Sequence, residues 1–170
     1  MIEIKSKSGD PYILRPLTKD DKINLVEGLK KMSSESIYNR FHGFKKEFNE
    51  KELTSLTDLD GVNRFAFAII QVKENNELEG VGIARYHRTP ESDRAEFAIT
   101  LIDRVQGQGL AKVVILELIK VAKGHNIKFF DGTLENTNIK MINLIHKLDG
   151  FTTKRLSGNL LTMEGDLSSY

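Results

Sequence analysis

Three runs in the middle of the chain, Phe65–Val72 (FAFAIIQV), Leu78–Tyr86 (LEGVGIARY) and Arg94–Ile102 (RAEFAITLI), are rich in β-branched and aromatic residues and read as strands. The polar link Lys73–Glu77 joins the first two, and Thr89–Asp93 separates the second from the third, so they predict an antiparallel meander. The period then changes. From Leu110, the apolar positions Val113, Val114, Leu116, Leu118, Ile119 and Val121 follow helical spacing and stop near Gly124, a usual C-terminal signal. A short apolar run, Ile127–Phe130, reads as the next strand, and a strand, helix, strand order implies that the flanking strands are parallel.

The ends of the chain carry shorter signals. Tyr12–Leu17 reads as a strand closing on Arg15-Pro16, followed by Thr18 as N-cap of a helix with Asp20 and Asp21 in its first turn and Ile23, Leu25, Val26 and Leu29 along it. Ser33–Ser36 precedes a second helical stretch with Ile37, Tyr38 and Phe41, and Asn49–Leu56 predicts a third short one. Towards the C-terminus Asn138 caps a helix bearing Ile139, Ile142, Leu144 and Ile145, and Phe151–Leu156 and Leu160–Met163 predict two more strands. There is no internal repeat, linker or low-complexity segment, so residues 1–170 are expected to form a single domain.

Composition narrows the chemistry. The 25 Lys plus Arg nearly balance 24 Asp plus Glu, which gives no electrostatic reason to expect nucleic acid or an anionic membrane as partner. The absence of cysteine excludes disulfides, thiolate metal sites and a cysteine nucleophile. His42, His87, His125 and His146 show no metal-ligand spacing, so no metal is expected. The N-terminus has no apolar signal run, and no uncharged stretch approaches the roughly 18 residues that span a bilayer, so a cytoplasmic protein is expected.

The most informative stretch is Gln106-Gly107-Gln108-Gly109-Leu110-Ala111, between a predicted strand and a long predicted helix. Glycines permit conformations that a β-carbon blocks, the first helical N–H groups lack partners, and the helix dipole is positive there. Such a loop suits a phosphate or a pyrophosphate. It is not a P-loop, for G-x-x-x-x-G-K-[ST] is absent, and the dinucleotide fingerprint G-x-G-x-x-G fails where Lys112 stands.

Gln106-x-x-Gly109-x-Ala111 resembles the [QR]-x-x-G-x-[GA] acetyl-CoA signature of the GNAT superfamily of N-acetyltransferases, and Gly150-Phe151 matches the G-F that precedes that family's last strands. The likeness covers roughly residues 12 to 165. AEFAIT before QGQGLA, and SESIYNRF, are similar to the GNAT domain of bacterial Pat-type protein lysine acetyltransferases. The resemblance implies an α/β (α+β) GNAT fold, with a mixed, mostly antiparallel sheet of six to seven strands flanked by about four helices. It implies acetyl-CoA as co-substrate and an amine acceptor, either a small molecule or a protein lysine.

Residue roles follow from the same resemblance. The amides of Gln106, Gly107, Gln108, Gly109, Leu110 and Ala111 would hold the pyrophosphate, with the Gln106 side-chain amide as a further donor. The backbone of Ile99, Thr100 and Leu101 would pair with the pantetheine arm, and Asn138 would contact the cofactor as well as cap its helix. The pattern departs from many members at Ile145, where a tyrosine protonates the leaving thiolate, which leaves His146 or solvent to serve. An amine with a pKa of about 10.4 needs a base, and Glu96 is the candidate, on one strand face with Ala98 and Thr100. Its bland alternative is an ion pair with Arg94 or Arg85. Without G-x-S-x-G or cysteine, direct transfer in a ternary complex is the simplest scheme. The competing expectation is a non-catalytic acyl-CoA-binding sensor, and either a monomer or a homodimer fits the sequence.

Overall fold

The computed structural model describes all 170 residues. Eight strands form one sheet: β1 (Ile2–Lys5), β2 (Pro11–Pro16), β3 (Arg64–Val72), β4 (Leu78–Arg88), β5 (Arg94–Leu101), β6 (Phe129–Glu135), β7 (Phe151–Ser157) and β8 (Leu160–Asp166). Five helices flank it: α1 (Lys22–Lys30), α2 (Ser34–Phe41), α3 (Glu50–Thr57), α4 (Leu110–Gly124) and α5 (Ile139–Ile145). The strand order is β1-β2-β3-β4-β5-β6-β8-β7, and only β5 and β6 run parallel. The class is the mixed α/β one expected, and the meander β3-β4-β5 and the crossover α4 fall where the periodicity puts them.

The sheet is larger than expected by one strand or more, and five helices flank it where about four were expected. β1 is four residues long, with charge at every second position, so it shows as a strand only through its pairing with β2. β6 begins later than Ile127–Phe130. Ile127 is buried in the turn that closes α4, donating to the carbonyl of Ala122 at 3.0 Å, while the strand itself, FFDGTLE, carries charges on its open face.

The two faces of the sheet are packed differently. On one, Tyr12, Leu14, Phe67, Ile69, Tyr86, Phe97 and Phe130 meet Leu110, Val114, Ile115, Leu118 and Ile119 of α4 and Ile145 of α5 in a cluster of 26 buried residues. Burial on that scale is the main stabilising force of the fold. On the other face, beneath α1–α3, the fully packed cluster contains only Leu17, Ala66 and Ala68, with Leu59 and Ile83 against it. Small side chains on β3 leave room there.

Candidate active site

The parallel pair β5–β6 is in register at three positions only, Arg94 with Phe129, Ala95 with Phe130 and Glu96 with Asp131. Beyond that point β6 continues along β8, pairing Gly132 with Met163 through Glu135 with Leu160, and leaves β5. Phe97 to Leu101 therefore lack a strand partner on that side, and an extended ligand can satisfy such backbone groups. Ile99, Thr100 and Leu101 all lie in this stretch; Ile99 and Leu101 turn their backbone groups to the open side, whereas Thr100, in register with Ile83, turns its own to β4. The near end of the gap is held by Arg94, whose Nε and Nη2 donate to Asp131 at 2.8 and 2.6 Å and which also pairs with Glu164 of β8. Its guanidinium lies 4.6 Å from the centroid of the Phe129 ring.

Past Leu101 the chain makes one 3-10 turn, Asp103–Val105, and enters the loop before α4. Gly107 and Gly109 have φ of +77° and +73°, the left-handed region that favours glycine. A β-carbon on Gly109 would also lie 3.0 Å from Cβ of Lys7, because the Lys7 amide donates to the carbonyl of Gln108 at 2.9 Å. The Tyr12 hydroxyl donates to Oε1 of Gln108 at 3.2 Å, and Gln108 donates to the Arg104 carbonyl at 3.2 Å. The amides of Gly107, Gln108, Gly109, Leu110 and Ala111 donate to no acceptor in the chain. Five free donors at the positive end of a 15-residue helix are an arrangement suited to an anion.

Gln106 differs from the expectation in one respect. Its amide nitrogen donates to the Leu101 carbonyl at 2.9 Å and to Ser36 Oγ at 3.1 Å, and its own carbonyl accepts from Lys140 at 3.1 Å. The side chain braces the loop against the end of β5 and against α2 instead of standing free for a phosphate. Asp103 extends the brace by accepting from the backbone and hydroxyl of Ser33 and from the hydroxyl of Ser36.

Glu96 is exposed and forms no ion pair; Arg94, one of its expected partners, is committed to Asp131 and Glu164. With Asp131, Thr133, Thr152 and Lys154 it lines an open polar groove of about 480 Å³. Its neighbours on the same strand face, Ala98 and Thr100, line a second cavity, of about 270 Å³, under α1–α3. Glu96 thus stands at the last paired position of the parting strands, with an open groove on one side and a largely apolar cavity on the other.

Asn138 caps α5, its Oδ1 accepting from the Met141 amide at 3.2 Å, and its side-chain nitrogen has no partner. Ile145 is fully buried in the core. His146 is turned towards the outer strand β7, with Nε2 3.1 Å from Thr153 Oγ1, away from the gap between β5 and β6. Sequence reasoning missed Arg40 and, as more than a partner for Glu96, Arg85, both of which line the cavity under α1–α3. The available signal was Arg85 itself, a charge amid the small and apolar residues of β4. No group of three or more His, Cys, Asp or Glu side chains is arranged to hold a metal ion, and no helix is long and apolar enough to cross a membrane.

The chain matches the family model of the acetyltransferase (GNAT) domain over residues 12–151. Acetyltransferase PA5475 of Pseudomonas aeruginosa is 33% identical over 120 residues, which cover 71% of this chain and 64% of that protein. Acetyltransferase Pat of Mycolicibacterium smegmatis is 24% identical over 161 residues, 95% of this chain and 47% of that protein. The chain therefore spans less than two thirds of the length of either relative. Among solved structures, the GNAT domain of S. lividans PAT superposes with a TM-score of 0.87 at 28% identity, over 97% of this chain and 96% of that one.

Proposed function

The chain belongs to the acetyltransferase (GNAT) domain family, and from that premise we propose that residues 1–170 act as one domain that moves an acetyl group from acetyl-CoA to a primary amine. The observation that carries this reading is the adjacency of three features: five unpaired amides before α4, an unpaired strand edge from Phe97 to Leu101, and an unpaired carboxylate, Glu96, where the strands part.

Acetyl-CoA supplies the acyl group. The amides of Gly107 to Ala111 hold the pyrophosphate, and the open-side backbone groups of Ile99, with the N–H of Leu101, take the amides of the pantetheine arm in place of β6. A backbone N–H of β5 polarises the thioester carbonyl, and Glu96 accepts the proton of the acceptor ammonium, directly or through water. The amide bond forms as the C–S bond breaks, and the CoA thiolate leaves and takes its proton from solvent, since His146 is turned to β7. Catalysis then rests mainly on positioning and on dipoles fixed in advance. The open groove, walled by Glu96 and Asp131, admits an amine on a flexible chain, and the relationship to PAT and Pat supports a protein lysine as that amine.

One observation favours a second reading. Ile145 occupies the position of the expected acid and is sealed in the core, which fits a domain that binds acyl-CoA without turning it over. Calorimetric titration with acetyl-CoA and CoA, followed by acetylation assays on small amines and lysine peptides with Glu96→Gln as control, separates the two. Turnover abolished by that substitution supports the enzyme, binding without turnover supports the sensor, and no binding removes both.

A further inference from the structure

The cavity under α1–α3 is walled by apolar side chains, among them Leu29, Met32, Phe41, Phe48 and Ile83, yet three arginines also line it. Arg15 is neutralised by Asp21 through a bidentate pair at 2.6 and 2.8 Å. Arg40 of α2 and Arg85 of β4 have no such partner. Neither makes a hydrogen bond or ion pair within the chain, and the carboxylate that bears on both at longer range is Glu96. Arg85 lies opposite Ala66 on β3 and Ala98 on β5, so its flanks are small and it projects without packing against a neighbour of opposite charge.

Two half-buried guanidiniums side by side in a largely apolar cavity, with no counter-charge in bonding range, are costly, since burial of a charge is tolerated where a counter-charge meets it. Burial and the nearness of Arg40 push Arg85 down to about 10, and burial lowers Arg40 as well. We propose that this cavity is a carboxylate subsite, in which Arg40 and Arg85 together take the free carboxylate at the end of a short aliphatic chain. Planar guanidinium forks match a carboxylate in bidentate fashion. The apolar walls and the volume of about 270 Å³ suit a few methylenes behind that head group. Ala98 and Thr100, on one strand face with Glu96, line this cavity, so the chain is part of a substrate, and this placement rests on the acyl-transfer reading. The carboxylate belongs either to a dicarboxylic acyl thioester or to an acceptor that carries an acid as well as its amine.

The site is tested first by calorimetric titration of the full chain with glutarate, with neutral glutaramide and with inorganic phosphate, beside Arg40→Met, Arg85→Met and Arg85→Lys. Glutarate is expected to saturate in the millimolar range, about tenfold tighter than the diamide. Both Met variants should lose it, and Arg85→Lys should keep part, which also separates loss of the site from loss of fold. Two kinetic comparisons then assign the source: glutaryl-CoA against butyryl-CoA with one amine, and lysine against its decarboxylated diamine with acetyl-CoA. The arm in which the wild-type protein prefers the acid, and Arg85→Met brings the ratio close to one, names the substrate. Phosphate binding as tight as glutarate overturns the carboxylate assignment, as does glutarate binding that survives both Met variants. Absence of both glutarate binding and acid preference overturns the subsite, and the acyl-transfer reading stands if neutral substrates still turn over. Glutarate binding in a protein without turnover keeps the subsite and removes the transferase.

Discussion

Glu96 of β5 pairs in register with Asp131 of β6, and theirs is the last such pair before the two strands separate. The carboxylate is therefore fixed by paired backbone on one side and faces an opening on the other, the combination a general base needs: a held position and access to substrate. Glu96→Gln should lower kcat by about a hundredfold or more while the affinity for acetyl-CoA changes little. Because the fraction of free amine rises about tenfold per pH unit below its pKa of about 10.4, the residual rate of the variant should climb steeply with pH. A kcat within about threefold of wild type would remove Glu96 from the mechanism.

The two glycines of the loop are not equivalent. Both have positive φ, but a β-carbon meets nothing within 4 Å at Gly107 and meets Lys7 at 3.0 Å at Gly109. A left-handed alanine costs about 1–2 kcal/mol at either position, and at Gly109 the contact with Lys7 is added. Gly109→Ala should weaken acetyl-CoA binding by about tenfold and clearly more than Gly107→Ala, as measured by titration calorimetry. Equal affinities in the two variants would mean that Lys7 does not constrain the loop.

The sequence carried the meander, α4 and the anion loop because each combines a strong period with a sharp change at its end, as where Leu101 gives way to Gln106–Ala111. Glu96 was legible through strand alternation alone, which put it on the face of Ala98 and Thr100. β6 was misjudged because Asp131 and Glu135 interrupt its apolar run; they face the open groove side of the sheet, which needs no apolar residue. The braced Gln106 depends on Ser36 and Lys140, contributed by two different helices, and no local pattern encodes that. The pairing of Arg40 with Arg85 is hidden for the same reason. A cavity between layers is a property of packing, set here by the small Ala68, Gly80, Gly82 and Ala98 beneath α1–α3.

Arg94 ties three strands together where the gap begins, through Asp131 of β6, Glu164 of β8 and the face of Phe129. Its pairs are a third exposed, so solvent screens them, and the cluster should stabilise the fold by only about 1 kcal/mol. Arg94→Ala is expected to lower the melting temperature by about 2–4 °C. The larger effect should fall on function, with KM for acetyl-CoA raised several-fold because the width of the gap is no longer fixed. An unchanged KM beside a lowered Tm would limit Arg94 to stability.

Asp21 sets the acid stability of the α1 side. It is 2% exposed, binds Arg15 through both oxygens, and accepts from the Thr18 amide at 2.8 Å and from Asn24 at 3.0 Å. Arg15 foremost holds its carboxyl well below the usual carboxylate range. A group whose folded pKa is depressed stabilises the fold above its unfolded value, about 3.9, and that contribution fades as pH falls below it. Asp21→Asn should therefore cost about 2–3 kcal/mol at neutral pH. This lies below the 3–5 kcal/mol typical of a fully buried pair, since the Arg15 side chain is 30% exposed. Denaturant unfolding of the two proteins at a series of pH values should show the wild-type curve descending towards that of the variant between about pH 4 and pH 2. A stability difference that stays constant through that range would show that the loss comes from shape and not from charge.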